Sequence, residues 1–168
     1  MTPIRIDRVG LDRLDELVEF WLLLHQHQGS VADPIEGVEL LSDEASAAIV
    51  REMYRKWLSQ DDSFAFLAEA DGRSVGYVVA FYDEPHFMWD TGRIGHVDSF
   101  YVLPEMRGRG VGRLLMDRAY EEMRRAGVST VALELVATNE LARRFYEREG
   151  FTTTFVQMLR SLPSERGH

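Results

Sequence analysis

Six residues, Arg107-Gly108-Arg109-Gly110-Val111-Gly112, stand between an apolar strand-like run and a long amphipathic helical stretch. Three glycines leave backbone N–H groups uncovered at the start of a helix, where unpaired donors and the positive end of the macrodipole both favour a phosphate. Arg107 and Arg109 add charge-assisted hydrogen bonds to the same anion. The pattern therefore predicts a site for a phosphorylated ligand. A P-loop would end in Gly-Lys-Ser or Gly-Lys-Thr, and neither is present, which removes nucleotide hydrolysis. A dinucleotide-binding turn would carry G-x-G-x-x-G tight against its strand, whereas the spacing here is G-x-G-x-G with several residues intervening after Val102. Taken alone, the loop also fits a plain glycine-rich turn.

Other chemistries are narrowed by what the chain contains. Cysteine is absent, which removes disulfides, thiolate nucleophiles and Cys-based metal sites together. The histidines His25, His27, His86, His96 and His168 show no H-E-x-x-H spacing, and no carboxylate-rich loop has calcium spacing. No metal is expected.

The elements that must position the loop follow from length and patterning. At 168 residues and 45% apolar content, one domain over residues 1–160 is expected, burying roughly 70% of its unfolded surface, with 161–168 as a disordered tail. The first thirty residues are rich in Asp, Glu and Arg, so neither a signal-peptide core nor a membrane span is read, and a cytoplasmic protein without a membrane partner is expected. The charge is uneven. Residues 1–102 hold 8 basic and 19 acidic side chains (net −11), and residues 103–168 hold 11 basic and 9 acidic (net +2). A basic face interleaved with stacking aromatics is missing, which argues against a nucleic-acid partner. The acidic half is either ordinary solvated surface or a vestibule for a cationic ligand.

Periodicity and turn signals give the element order. Thr2 to Asp7 reads as a strand, and Leu11, Leu14, Leu17, Val18, Trp21, Leu22 and Leu24 keep helical spacing until Gly29. After a loop over 29–41, a second helix begins near Ser42-Asp43-Glu44, with Ala45, Ala48, Ile49, Met53 and Trp57 as its apolar stripe. Phe64 to Ala70 and Val75 to Tyr82 flank an Asp-Gly turn and read as a hairpin. An aromatic-rich connection over 83–92 leads to a strand from Ile94 to Leu103. A helix from Gly110 to Ala126, a strand from Thr130 to Val136, a helix from Asn139 to Glu149 and a last strand from Phe151 to Leu159 complete the chain. The expected order is βααβββαβαβ, an α/β (α+β) fold with a mixed sheet covered by helices.

The segment from His96 to Phe151 resembles the GNAT superfamily of acetyl-CoA-dependent N-acetyltransferases. His96 to Glu105 followed by Arg107 to Gly112 is similar to the family's acetyl-CoA signature, Q/R-x-x-G-x-G/A. Asn139 to Phe151 is similar to its second motif, N-x-x-A-x-x-F-Y-x-x-x-G-F. The element order agrees, with residues 29–62 least diagnostic. The resemblance implies that Arg107, Gly108, Arg109, Gly110, Val111 and Gly112 hold the pyrophosphate of coenzyme A through backbone N–H groups. It implies that the pantetheine arm enters a splay between parallel strands around Phe100, Tyr101 and Val102 and around Leu133 to Val136. Backbone groups near Val102 would bond the amide arm and the thioester, and Asn139 is either a cofactor contact or simply the helix N-cap.

Acyl transfer to an amine poses two proton problems. A lysine-like amine has a pKa of about 10.4, so presenting it neutral at pH 7 costs about 4.6 kcal/mol, and a base near the ammonium is useful. The departing thiolate, with a reference pKa of about 8.5, benefits from a nearby acid. Strand alternation predicts that His96, Asp98, Phe100 and Val102 share one face. In the family a glutamate matching either Asp98 or His96 serves as base. Here the shorter Asp and a His depart from that pattern, which favours a water relay over direct abstraction; Asp98 with His96 is expected to accept the ammonium proton, and the choice among Asp98, His96 and a relay stays open. His96 reads alternatively as a satisfied, partly buried histidine, and Asp98 as a structural hydrogen-bond partner. Tyr146 matches the family's usual general acid. Glu134, Asp83, Glu84 and His86 are further candidates for facing the acceptor.

The function implied is direct acetyl transfer through a ternary complex to a primary amine, with a polyamine or aminoglycoside-like molecule favoured by the acidic half. A protein N-terminus or lysine is the alternative acceptor, and a coenzyme A-binding regulatory module without transfer is the alternative class. Dimers are common in the family, so a homodimer is the assembly it suggests.

Overall fold

The computed structural model describes residues 3–162. Five strands form one sheet in the order β1 (Arg5–Val9), β2 (Ser63–Ala70), β3 (Arg73–Asp83), β4 (Ile94–Val102) and β5 (Thr130–Leu133). All neighbours are antiparallel except β4 and β5. Four helices, α1 (Leu14–Val31), α2 (Asp43–Trp57), α3 (Val111–Arg125) and α4 (Glu140–Arg148), join them. The mixed α+β fold is the one expected.

Local chemistry accounts for the boundaries. Ser42 caps α2 by accepting from the Ala45 N–H at 3.2 Å, and Asn139 caps α4 by accepting from Ala142 at 3.1 Å. The β2–β3 hairpin turns on Asp71 (φ 51°) and Gly72 (φ 77°), both left-handed as a two-residue type I′ connection requires. At the end of α3, the N–H of Val128 donates to Met123 O at 3.0 Å and that of Gly127 to Arg124 O at 3.0 Å.

Two apolar clusters sandwich the sheet. On one side Phe64, Phe66, Val78, Val97 and Val102 pack with Leu115, Met116, Ala119 and Met123 of α3. On the other, Leu67, Tyr77, Val79 and Tyr101 pack with Leu17, Phe20, Val50 and Tyr54 of α1 and α2. Each fully buried aliphatic or aromatic side chain contributes about 1.5–3 kcal/mol.

Strand β4 carries the irregularity that matters for the site. Val79 pairs with Ser99 but Ala80 pairs with Val97, so Asp98 is the extra residue of a bulge. Alternation therefore fails across it, which corrects the expectation that His96, Asp98, Phe100 and Val102 share a face. His96 stacks on Phe81 at 5.1 Å, and Phe81 meets Trp57 of α2, whereas Phe100 and Val102 belong to the α3 side.

The C-terminal expectations also change. Strand β5 stops at Leu133 instead of Val136, because β4 and β5 diverge there. Phe151 to Leu159 forms no strand, so the observed order lacks the final β. Its Thr, Phe and Val residues suit a strand, but β-propensity acts only against a neighbouring strand. Phe155 packs instead against His86 and Trp89, each ring 5.3 Å away. Residues 163–168 of the expected tail lie outside the described residues.

Candidate active site

The glycine loop sits between the end of β4 and α3. Gly108 (φ 74°) and Gly110 (φ 82°) are left-handed, and a Cβ on either would meet nothing within 4 Å, so their requirement is conformational and the space before them is open. Gly110 precedes α3 without any side-chain cap. The first-turn N–H groups of that helix are thus left for an anion. Gly112 is needed for a different reason, since its Cβ would lie 3.1 Å from Phe100 and 3.4 Å from Phe145. Those two rings stack at 5.4 Å.

Pairing between β4 and β5 runs from Ile94–Thr130 to Val97–Leu133 and then ceases. Beyond it, Asp98 to Val102 and Glu134 to Val136 line a cavity of about 420 Å³. Gly108, Gly110, Gly112 and Arg113 line it from the loop and α3, Leu24, His27 and Gln28 from α1, and Asn139, Phe145 and Tyr146 from the α4 segment. Within this one space, Arg107 and Arg113 accompany the phosphate-favouring amides, while Asp98 and Glu134 are the first residues past the last ladder pair.

Arg107 is tethered. Its Nε donates to the Val102 carbonyl at 3.0 Å, and its guanidinium lies 5.2 Å from the Tyr101 ring centroid. One backbone acceptor of the end of β4 is therefore already engaged. The same guanidinium, after burial itself, helps to lower the pKa of His27.

Asp98 is the base candidate with the clearest electrostatic setting. Burial raises its carboxyl above the usual range. Hydrogen bonding with Ser99 and Tyr54 and the charge of His96 oppose the rise, and Glu134 adds to it. Tyr146 sits among Phe100, Phe145 and Phe151, with ring centroids 6.2, 5.3 and 5.6 Å away. Burial holds its phenol well above the ordinary tyrosine value, so the hydroxyl stays protonated at physiological pH.

Most residues singled out from the sequence meet at this cavity: Asp98, Phe100, Tyr101, Val102, Arg107, Gly108, Gly110, Gly112, Asn139 and Tyr146, with Glu134. His96, Arg109 and Val111 do not line it. His96 is held by the Phe81 stack, Arg109 is exposed, and Val111 is in the α3-side core. Asp83, Glu84 and His86 are also outside it, and the His86 ring is stacked by Phe87 and Trp89, each at 4.6 Å. The sequence reading missed His27, Arg113, Tyr54 and Ser99. Leu24 and His27 are one helical turn apart, so a polar residue on an otherwise apolar stripe was the available signal for His27.

The sequence profile of the Acetyltransferase (GNAT) family matches residues 33–151. An uncharacterised N-acetyltransferase of Archaeoglobus fulgidus is 38% identical over 95 residues, 55% of this chain and 63% of the relative. The chain thus spans somewhat less than two thirds of that relative's length. The aminoalkylphosphonate N-acetyltransferase of Salmonella typhimurium is 30% identical over 126 residues, 74% of this chain and 79% of the relative. Among solved structures, an aminoglycoside N-acetyltransferase in complex with CoA superposes with a TM-score of 0.73 at 19% identity, covering 98% of this chain and 97% of that one. It shares the fold.

Proposed function

The chain belongs to the Acetyltransferase (GNAT) family, and from that premise we propose that it transfers the acetyl group of acetyl-CoA to a primary amine on a small cationic molecule. The observation that carries this reading is the charge order within one cavity. Uncapped amides and arginines line it at the glycine loop, and two carboxylates, Asp98 and Glu134, line it where the strands part. The first set suits a pyrophosphate and the second an ammonium. The open backbone of the loop fits the donor, with Gly108 and Gly110 giving access and Arg107 and Arg113 adding charge.

In the proposed reaction Asp98, directly or through one water, accepts the proton of the bound ammonium. The neutral nitrogen attacks the thioester carbon, and as the tetrahedral adduct collapses the C–S bond breaks and the nitrogen's second proton passes to the departing sulfur, leaving the amide and the free thiol. Tyr146 donates a hydrogen bond to the departing sulfur. Backbone N–H groups at the end of β4, near Phe100 to Val102, stabilise the oxyanion. Asn139 acts by capping α4 and so setting Tyr146. His96, stacked on Phe81 outside the cavity lining, is proposed to act on Asp98 rather than on the substrate.

The single domain proposed for this chemistry spans residues 1–160. A homodimer is proposed as its assembly, supported by the exposed apolar residues Phe155, Val156, Met158 and Leu159 on a segment without strand partners.

The test incubates the purified protein with acetyl-CoA and an acceptor panel, following free thiol. Release with polyamines or aminoglycosides, and little with lysine or N-terminal peptides, is the expected result. Preference for peptides would move the acceptor to protein. Tight acetyl-CoA binding with no release for any amine would identify a binding module instead.

A further inference from the structure

Asp98 is not held by its own strand alone. It is the extra residue of the β4 bulge, and the ladder to β5 ends one residue before it. Neither neighbouring strand therefore fixes its backbone as an ordinary ladder would. A fixed carboxylate at this point needs another support.

That support comes from α2. The Tyr54 hydroxyl lies 2.5 Å from Ser99 Oγ and 3.5 Å from Asp98 Oδ2. Tyr54 is 0% exposed and Ser99 3%, so water does not compete for these groups. The proton count gives the trio a direction. Tyr54 has one proton, so donation to the carboxylate leaves its oxygen to accept from Ser99, and the two bonds reinforce one another. Tyr77 on β3 brings a third buried hydroxyl to the same cluster, beside Ser99 and Tyr54.

We infer that Tyr54, anchored by Ser99, is a positioning residue for Asp98, fixing the carboxylate at the point where β4 and β5 part. This rests on the reading of Asp98 as the base. Burial drives Asp98 toward its neutral form, and the hydroxyl of Tyr54 opposes that drive. The other groups facing Asp98 are His96 on β4, which favours its charge, Glu134 beyond β5, which opposes it, and Tyr77 on β3; His27 of α1 lines the same cavity.

The test removes only the hydroxyl. Tyr54→Phe keeps the ring, and Ser99→Ala removes both the anchor of Tyr54 and the bond of Ser99 to Asp98 itself, so a folding defect in one leaves the other informative. The Asp98 carboxyl is titrated by carbon-13 NMR, and the pH profile of kcat/KM is measured in parallel. Tyr54→Phe should move the Asp98 titration to higher pH, carry the acidic limb of kcat/KM with it, lower kcat/KM on that limb by roughly tenfold, and leave the KM for acetyl-CoA unchanged. Ser99→Ala should move the titration in the same direction and at least as far, because its hydroxyl bonds Asp98 as well as Tyr54. In an Asp98→Asn background Tyr54→Phe should add nothing. An unmoved Asp98 titration in both variants, or an equal further loss in the Asp98→Asn background, overturns the inference. A titration that moves while kcat/KM keeps its limb sustains the Tyr54–Asp98 link and sinks Asp98 as the base.

Discussion

Val97 and Leu133 form the last pair of the parallel ladder between β4 and β5, and the residue that follows each in the chain is acidic, Asp98 in β4 and Glu134 just past β5. The parting of the strands and the concentration of negative charge thus occur at the same level of the sheet. Here the bulge at Asp98 shifts the β3–β4 register at the point where the β4–β5 ladder stops.

Asp98→Asn should separate activity from stability. Because burial raises the folded-state pKa of Asp98, its contribution to stability is fully present below the unfolded pKa and is lost as pH rises through the folded value. At neutral pH the protein therefore bears the cost of a buried carboxylate. The asparagine variant should show a higher Tm at pH 7 and no gain at acidic pH, by scanning calorimetry. Its kcat/KM should fall about 10²- to 10⁴-fold, the usual loss for a general base. A variant that keeps its activity removes Asp98 from the mechanism.

Glu134→Gln should act on Asp98 from across the opening. The Glu134 charge pushes the Asp98 pKa up, so its removal should let Asp98 ionise at lower pH. The acidic limb of kcat/KM then moves down, opposite to the direction expected for Tyr54→Phe. If Glu134 also attracts the acceptor, KM for a polyamine should rise severalfold and this difference should shrink as salt increases. Unchanged KM at low salt would confine Glu134 to tuning Asp98.

Two glycines two positions apart, Gly110 and Gly112, should fail for different reasons. Gly110→Ala meets open space but forces a left-handed backbone on alanine, at about 1–2 kcal/mol, so acetyl-CoA affinity should weaken roughly 5- to 30-fold by titration calorimetry. Gly112→Ala is free of that strain and crowds Phe100 instead. Its effect should appear in kcat, through displacement of the Phe100–Phe145 stack that adjoins Tyr146. Equal effects on binding and kcat in both variants would reject this division.

The elements with local punctuation were legible in the sequence. Asp71-Gly72, the Ser42 and Asn139 caps and Gly127 each encode a turn or terminus in neighbouring residues. Much of the site was legible for a similar reason, since the loop and the Asn139 to Tyr146 segment are contiguous. The bulge was not, because it is a relation between Val79–Ala80 and Val97–Ser99, residues far apart in the chain. His96 was therefore assigned to the wrong face. Tyr54 was hidden for the same reason: its hydroxyl chemistry depends on Ser99, 45 residues away. The last strand was over-read because β-prone residues at 151–159 say nothing about whether an edge is offered to them.

Tyr146→Phe tests the other end of the reaction. Burial raises the Tyr146 pKa far above that of the leaving thiol, whose reference value is about 8.5, so full proton transfer to a free thiolate is uphill. The useful contribution is then a hydrogen bond that strengthens as charge develops on sulfur, with any proton movement concerted with C–S cleavage. Removing the hydroxyl leaves the ring packed among Phe100, Phe145 and Phe151, so fold and acetyl-CoA affinity should hold. Loss of one such donor should lower kcat about 10²- to 10³-fold. The raised pKa also means that Tyr146 contributes no alkaline limb to the wild-type profile below about pH 10, the ordinary tyrosine value. Unchanged kcat in the phenylalanine variant would leave the sulfur without a protein donor and assign Tyr146 to packing alone.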